Sequence, residues 1–157
     1  MVLKTHDSGF TLLELLVAMG IALVLAGGIF AGYERFNKNE RLRQAGASLK
    51  SNLRLAQSKA MSGEKPTAGC TQLTGVTVSF SGSSYTIQAQ CTEGLVGSQI
   101  TIILPTSITV SSTLSPLVFG VLNRGVGTDV TITLTDGSKS FAVTVSQSGD
   151  INELGIQ

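Results

Sequence analysis

The chain has 157 residues and a net charge of +1, so it has room for one compact domain with an appendage, and its overall charge does not favour nucleic acid or an acidic substrate. It contains no Trp, only 5% of its residues are aromatic, and Ser, Thr and Gly dominate its second half. This composition is typical of a β-rich exported domain and argues against an enzyme with a deep aromatic-lined pocket.

Charge is distributed unevenly along the chain. Residues 34–65 contain eight Lys or Arg against three Glu, a net charge of +5. Residues 66–157 contain two basic residues against five acidic ones, a net charge of −3. The basic stretch predicts a solvated helix face rather than a binding site for polyanions.

The segment 10–33 is long and apolar, and Glu14 is its one charged residue. As a helix it would be about 36 Å long, enough to cross a hydrocarbon core of about 30 Å. A carboxylate in such a segment is unfavourable unless it has a partner. Because the polar residues 1–9 end in Gly9, a cleavage site here would precede the apolar run, unlike the site of an ordinary secretory signal.

The string GFTLLELLVAMGI at residues 9–21 resembles the processing and assembly signature of type IV pilins and type II secretion pseudopilins. The resemblance implies that a prepilin peptidase cleaves between Gly9 and Phe10 and that Phe10 becomes the N-methylated mature N-terminus. It also implies that Glu14 is the assembly glutamate. The new α-amine at Phe10 would lie one helical turn from Glu14, where it can neutralise the carboxylate within one chain or between staggered neighbours.

Two further features of this segment concern its packing and orientation. Gly28 and Gly32 have the GxxxG spacing that lets membrane helices approach closely, although glycine is also tolerated there without such a role. Charge bias alone would place the cations after Tyr33 in the cytoplasm. The resemblance implies the opposite orientation, with residues 1–9 in the cytoplasm and the C-terminal part outside. We therefore expect a single-pass inner-membrane protein that later joins a cell-surface or periplasmic filament.

A second helical pattern follows within residues 34–65. Apolar residues recur three or four positions apart, and Gly63 and Pro66 end the pattern. One helix is therefore predicted from Phe10 to about Ser62, with an apolar stripe packed against a sheet. The stripe consists of Leu42, Ala45, Leu49, Leu53, Ala56 and Ala60.

After this helix the apolar residues alternate with Ser and Thr, which predicts six or seven short strands. Turn residues occur at 81–84 and at Asp136-Gly137, the second marking a hairpin. The predicted fold class is α+β, a long N-terminal helix packed on a small antiparallel β-sheet head of one or two sheets, as in pilins. The predicted strands are 76–80, 85–89, 100–102, 108–110, 117–119, 130–134 and 141–145.

The predicted organisation has four parts. They are a leader peptide at 1–9, a transmembrane and assembly helix at 10–33, its amphipathic continuation at 34–65, and a β-rich head at 66–157.

Cys70 and Cys91 are the two cysteines of the chain. An even pair in an exported domain predicts one disulfide, and two free thiols in a cytosolic protein are the alternative.

Residues 53–61 and 117–151 are similar to the late helix and the C-terminal hairpin of GspH/FimT-type minor pilins. This similarity favours a minor pilin or pseudopilin over a major pilin. It implies as partners other pilin or pseudopilin subunits, the prepilin peptidase, an inner-membrane assembly platform, and membrane lipid before assembly. Some minor pilins of this type bind DNA, but Arg124 and Lys139 are the only cations after residue 65, so DNA is not expected as a partner.

The sequence contains no evident catalytic constellation. The single histidine, His6, would leave with the leader, which removes Ser-His-Asp and Cys-His systems, and no phosphate-binding loop is present. Asp129, Asp136 and Asp150 lie beside turn residues, and turn formation explains them better than a calcium site. We expect no enzyme, cofactor or metal.

The function predicted from these features is that of a structural subunit of a type IV pilus, a competence pilus or a type II secretion pseudopilus. The alternative is a solitary membrane-anchored β-domain that binds a ligand or an adhesion target and never polymerises.

Overall fold

The computed structural model describes residues 10–157, without the side chains of residues 26–32. The chain divides after Asn37 into two compact units, of which the second covers residues 38–157. Within the described residues one long helix precedes eight strands, which confirms the predicted α+β class. The elements are α1 (Leu12–Ser62), β1 (Leu73–Ser81), β2 (Ser84–Cys91), β3 (Gly94–Ile103), β4 (Thr109–Ser112), β5 (Leu117–Gly120), β6 (Val130–Thr135), β7 (Ser140–Val145) and β8 (Ile151–Ile156).

Helix α1 ends at Ser62, as predicted. The N–H of Gly63 donates to the carbonyl of Ala60, and the N–H of Glu64 donates to the carbonyl of Lys59. These two hydrogen bonds form a Schellman motif, which requires a residue of positive φ, and Gly63 has a φ of 65°. Glycine therefore fixes the point at which the chain leaves the helix.

The predicted apolar stripe of α1 is confirmed. Each of its six residues is at most 6% exposed, and together they form one hydrophobic core with side chains from both sheets. Gly46 lies within this stripe, and a Cβ at its position would meet the ring of Phe141 on β7. The helix and the second sheet are therefore in direct contact at this glycine.

Polar side chains on the flanks of the stripe also connect α1 to the rest of the head. The Asn52 amide donates to the hydroxyl of Tyr85 at 2.8 Å. The Gln57 amide donates to the carbonyl oxygens of Arg124 and Gly149, each at 2.7 Å. These bonds satisfy polar groups at the edge of the core and fix the rotation of the helix about its axis.

The strands form two antiparallel sheets, with the orders β3-β2-β1-β5 and β4-β6-β7-β8. The predicted turn at residues 81–84 connects β1 to β2, and Asp136-Gly137 lies in the turn between β6 and β7. A bridge between Gly82 and Val110 joins the two sheets. The head is thus built from two sheets that share one core.

Two strands differ from the prediction. Strand β8 was not predicted, because only Ile151 in its sequence INELGI is buried and no alternation of apolar and polar residues results. It is defined by pairing with β7, where Val145 lies opposite Ile151. Strand β3 begins at Gly94, well before the predicted range 100–102, because it is an exposed edge strand with no buried face to impose a pattern.

The predicted disulfide between Cys70 and Cys91 is present, with a Cα–Cα distance of 5.6 Å. It connects the segment that follows α1 to the last residue of β2. The bond closes a loop in the chain and so restricts the unfolded state.

Candidate functional site

The start of helix α1 is capped by Thr11. The N–H of Glu14 donates to the Thr11 side-chain oxygen Oγ1 at 3.2 Å, and the N–H of Leu15 donates to the Thr11 carbonyl at 3.2 Å. A threonine N-cap followed three residues later by glutamate is the sequence pattern of a capping box. The cap places Glu14 in the first turn of the helix and leaves Phe10 just outside it.

Glu14 lies on an exposed, apolar part of the helix. Phe10 is 82% exposed and Leu13 is 73% exposed. Neither of the two ion pairs found among the described residues involves Glu14. The carboxylate is therefore held at the helix start with an open surface around it.

The described part of the first half of α1, up to Leu25, contains no buried residue. Within the described residues this apolar surface is left exposed, which is typical of a surface that other molecules cover. The large apolar side chains exposed here on the helix are Leu12, Leu13, Leu15, Leu16, Val17, Met19, Ile21, Leu23, Val24 and Leu25.

Within the described residues, no helix reaches the length and apolar character required to cross a membrane.

Three residues predicted to act at this site are not characterised by the structure. Gly9, the residue before the predicted cleavage bond, lies outside the described residues. Gly28 and Gly32 belong to α1, but they are among residues 26–32, and their packing lies outside the description. The predicted transmembrane segment 10–33 includes this same stretch.

A second group of possible metal ligands includes the two disulfide cysteines. Among the described residues, Cys70, Cys91 and Glu93 are the one group that has the spacing of metal ligands. The two sulfurs are bonded to each other and therefore offer no thiolate. The Thr71 hydroxyl, together with backbone N–H groups, lowers the pKa of Glu93 to about 2, and the Thr71 N–H donates to Glu93 at 3.0 Å. The Glu93 carboxylate therefore connects the two ends of the disulfide loop through its hydrogen bond to Thr71.

Two of the aspartates predicted to form turns accept backbone hydrogen bonds. Asp136 Oδ1 accepts the N–H of Lys139 at 2.8 Å and that of Ser138 at 2.9 Å, and these bonds lower the pKa of Asp136. Asp129 accepts the N–H of Gln147 at 2.6 Å. Asp136 therefore binds the backbone of its own turn, whereas Asp129 connects the start of β6 to the turn after β7.

The basic helix face is partly neutralised by the head. Lys50 forms an ion pair with Glu153 on β8, with 3.1 Å between Nζ and Oε1. Arg54 and Arg124 line a polar pocket of about 250 Å³, and Asp150 lines it as well. The carboxylate offsets part of the positive charge in this pocket.

Comparison with known proteins concerns the N-terminus. A family model described as the prokaryotic N-terminal methylation motif matches residues 4–30. The matched span contains Gly9, Phe10 and Glu14. This chain carries the N-terminal motif of a type IV pilin-like prepilin. Searches of curated proteins and of solved structures give no significant match.

The motif supports the prediction of a type IV pilin-like prepilin, and it has several coarse implications. The type IV pilin class is structural rather than catalytic. The motif implies assembly with other pilin subunits and processing by a prepilin peptidase. It also implies a membrane-anchored protein that is later found at the surface or in the periplasm.

Thr11 is the residue of this site that the sequence reasoning missed. A threonine three positions before Glu14, at the start of an apolar run, is a recognisable capping pattern. That spacing alone could have identified the helix start at Leu12.

Proposed function

We propose that the chain is a minor pilin or pseudopilin, a structural subunit of a type IV pilus, a competence pilus or a type II secretion pseudopilus. The observation that carries this proposal is the match of the N-terminal methylation motif to residues 4–30. In this proposal a prepilin peptidase cleaves between Gly9 and Phe10, and the new amine is methylated. An inner-membrane assembly platform then moves the subunit from lipid into the filament.

The exposed apolar surface of α1 supports both stages of this function. Full burial of one leucine side chain is worth about 1.5–3 kcal/mol. Residues 12–25 carry many such side chains, and none of them is buried in the chain. We propose that lipid covers the segment 10–33 before assembly, with residues 1–9 in the cytoplasm and the head outside. Neighbouring helices then cover it in the filament.

Glu14 supports the assembly step. A carboxylate near the middle of a membrane helix costs about 2.5–3.5 kcal/mol, and less near an end. Cleavage creates an amine at Phe10, one residue before the Thr11 cap and one turn from Glu14. Pairing of this carboxylate with the amine of its own or a neighbouring chain removes the cost. Pairing between chains also favours a single axial register.

The position of the disulfide supports a minor pilin or pseudopilin over a major pilin. Cys70 and Cys91 close a loop at the start of the head, between α1 and the end of β2. In major pilins the disulfide usually closes a loop at the C-terminus instead.

Mass spectrometry of the native N-terminus tests the processing step directly. The proposal expects a methylated Phe10 as the first residue. A protein that retains an intact Met1 in cells containing an active prepilin peptidase would instead support the solitary membrane-anchored domain.

A matched pair of substitutions tests the assembly step. Glu14→Ala is expected to leave membrane insertion intact and to abolish incorporation into filaments, measured by immunoblotting of sheared or purified filaments. Glu34→Ala removes a carboxylate from the same helix and should not change incorporation. Wild-type incorporation of Glu14→Ala would contradict the role of this carboxylate.

A further inference from the structure

Strand β3 is an edge strand of unusual length that carries no charged residue. It spans ten residues, GLVGSQITII, at one edge of the first sheet. The other edge strands differ, since β4 and β5 have four residues each and β8 carries Glu153. Proteins commonly protect sheet edges by keeping them short or by placing charges on them, because an open edge pairs with other chains. Strand β3 has neither of these protections.

A bulge interrupts β3 and leaves one regular stretch of it at the edge. Ile100 lies opposite Ile87 of β2. Four residues earlier, Val96 lies opposite Ala89, which is only two residues from Ile87. Strand β3 therefore has two extra residues between these pairs, and pairing at the edge is disrupted there. Residues 100–103 remain paired one to one with β2.

The regular stretch presents main-chain groups at the open edge. The N–H of Leu104 donates to the carbonyl of Ser83 at 2.9 Å, which continues the pairing of β3 with β2. Residues that exchange hydrogen bonds alternate along an antiparallel pair. Ile102 therefore bonds to β2, whereas Thr101 and Ile103 direct their N–H and C=O groups away from it. Among the residues that the structure describes, these outward groups have no backbone hydrogen-bond partner.

A pocket of about 290 Å³ lies beside this edge, and we call it the β3 pocket. Val96 and Ile100 line it, and the core residue Ile87 lines it as well, which places it on the core-facing side of the sheet. Gly97, in the bulge, has a φ of 82°, and a Cβ there would meet the ring of Pro66 at 2.9 Å. The pocket is therefore shaped by the bulge and by the segment that follows α1.

A strand added to β3 would place a side chain at this pocket. Residues that lie opposite each other on paired strands direct their side chains to the same face of the sheet, with Cβ atoms about 4.5–5.5 Å apart. A residue paired with Ile100 therefore directs its side chain toward the pocket that Ile100 lines. Free main-chain groups and an adjacent side-chain pocket are the two elements of peptide recognition by strand addition.

The charged residues of the β3 pocket favour an acidic group nearby. Lys59, Glu64 and Lys65 line the pocket. Lys59 forms an ion pair with Glu64 at 2.7 Å, so these two charges offset each other. The Lys65 ammonium donates to the carbonyl of Thr71 at 3.0 Å, and neither ion pair found among the described residues includes it. The pocket thus retains a positive charge that is complementary to a carboxylate.

We propose that β3 is a docking strand for an extended segment of a different protein. The segment pairs with residues 100–103 through its main chain, places an apolar side chain in the β3 pocket and holds an acidic side chain near Lys65. This contact does not depend on filament assembly. It adds to the proposed function a partner that binds the head.

A second copy of the chain does not supply this segment through its own β3. The core-facing residues of that edge are already used, because Ile100 lines its own pocket, Ile102 packs against the core and Leu104 lies within it. Residues 94–103 also contain no acidic side chain for Lys65. The occupant is therefore a different sequence.

A displayed library of random peptides of about eight residues, selected on the full-length chain in detergent, tests the chemistry of the occupant. We expect enrichment of peptides with alternating apolar residues and an acidic residue. These peptides should bind Thr101→Pro about tenfold or more weakly, because proline removes an outward N–H. A library without enriched peptides, or peptides that bind Thr101→Pro as well as the wild type, would overturn the proposal.

Ile156→Pro is the matched control for this substitution. Ser140 and Gln157 exchange two backbone hydrogen bonds, so the N–H of Ile156 points away from β7 at the edge of the second sheet. This variant should bind the peptides like the wild type. Both proline variants should keep the wild-type unfolding midpoint, because edge positions with an outward N–H tolerate proline.

Lys65→Glu tests the charge preference without altering a strand. Selection on this variant should enrich basic residues in place of acidic ones, and the acidic peptides should bind it about tenfold or more weakly. Lys139→Glu changes the same charge in the turn between β6 and β7 and should keep the acidic preference. An acidic preference that survives Lys65→Glu would contradict the assigned orientation of the segment.

Photo-cross-linking in cells tests the contact with the natural partner. The photoreactive residue p-benzoylphenylalanine at Ile103 should give an adduct with a different protein, and the linked segment should contain apolar and acidic residues. Thr101→Pro should abolish the adduct, and Ile156→Pro should retain it. No adduct, an adduct of two copies, or one that survives Thr101→Pro would each overturn the proposal. The incorporation of Glu14→Ala tests the filament function separately.

Discussion

The two halves of helix α1 use leucine in opposite ways. In the second half, Leu42, Leu49 and Leu53 are at most 1% exposed and form the core with two sheets. In the first half, Leu16 is 64% exposed and Leu23 is 75% exposed. Under the proposed function, one helix serves folding at one end and association at the other. The two halves differ in what covers their apolar side chains. In the second half, the two sheets of the same chain cover them.

The same Leu→Ala substitution in the two halves of α1 should give the largest difference in the free energy of unfolding. Leu53→Ala is expected to lower the free energy of unfolding by about 2–5 kcal/mol, because it leaves a cavity in the core. Leu16→Ala should change it by less than about 0.5 kcal/mol, because this side chain is mostly exposed and its removal leaves no cavity. Urea unfolding of the full chain in detergent, followed by near-ultraviolet circular dichroism, measures both. Equal effects at the two positions would contradict the difference in burial between the two halves of α1.

The disulfide should stabilise the second unit to a similar degree. Replacing Cys70 and Cys91 together with Ala is expected to reduce the free energy of unfolding by about 3 kcal/mol, since the closed loop restricts the unfolded chain. A reducing agent should have the same effect on the wild type and none on the double variant. An unfolding midpoint of the wild type that does not respond to reduction would contradict this role.

Two helical glycines offer a smaller contrast. Gly46→Ala is expected to cost about 1–3 kcal/mol, because the new methyl group would meet the ring of Phe141, which is itself buried. Gly20→Ala has no neighbouring atom within 4 Å and should not lower stability. Thermal unfolding of both variants in the same detergent compares them. A stable Gly46→Ala would show that the helix does not contact β7 as described.

The smallest effect concerns pH. The pKa of Glu93 is lowered to about 2, so its ionised form stabilises the folded state. This contribution is fully present above pH 4.5, the ordinary value, and is lost as the pH falls toward 2. The loss should be small because the carboxylate is exposed and solvent screens it. Glu93→Gln should flatten the fall in unfolding midpoint across this range, and an unchanged slope would contradict the assignment.

Local signals predicted much of the fold and of the site. The spacing of the apolar residues from Leu42 to Ala60 is enough to define one buried helix face, because helical geometry places such positions together. Gly63 marks the helix end, since glycine adopts the positive φ that the Schellman motif requires. Glu14 and Phe10 were identified through a short motif that is read directly from the chain. These features depend on neighbours close in sequence.

Features that depend on distant parts of the chain were not predicted. Strand β8 exists because β7 supplies its hydrogen-bonding partner, and its own residues after Ile151 are mostly exposed. Strand β3 is extended for the same reason, since β2 pairs with it from Gly94 onward. Most residues of these two edge strands are exposed, so their sequences carry no alternation that would reveal them, whereas the edge strand β5 alternates buried and half-buried residues and was predicted.

The sequence by itself determined the N-terminal motif, the helix with its apolar stripe, the disulfide pair and the α+β class. Only the tertiary structure decided how the strands divide between two sheets. The physical reason is that helix periodicity, capping and processing motifs act over a few residues. Sheet pairing and surface shape instead arise from contacts between residues far apart in the chain, which no local pattern encodes.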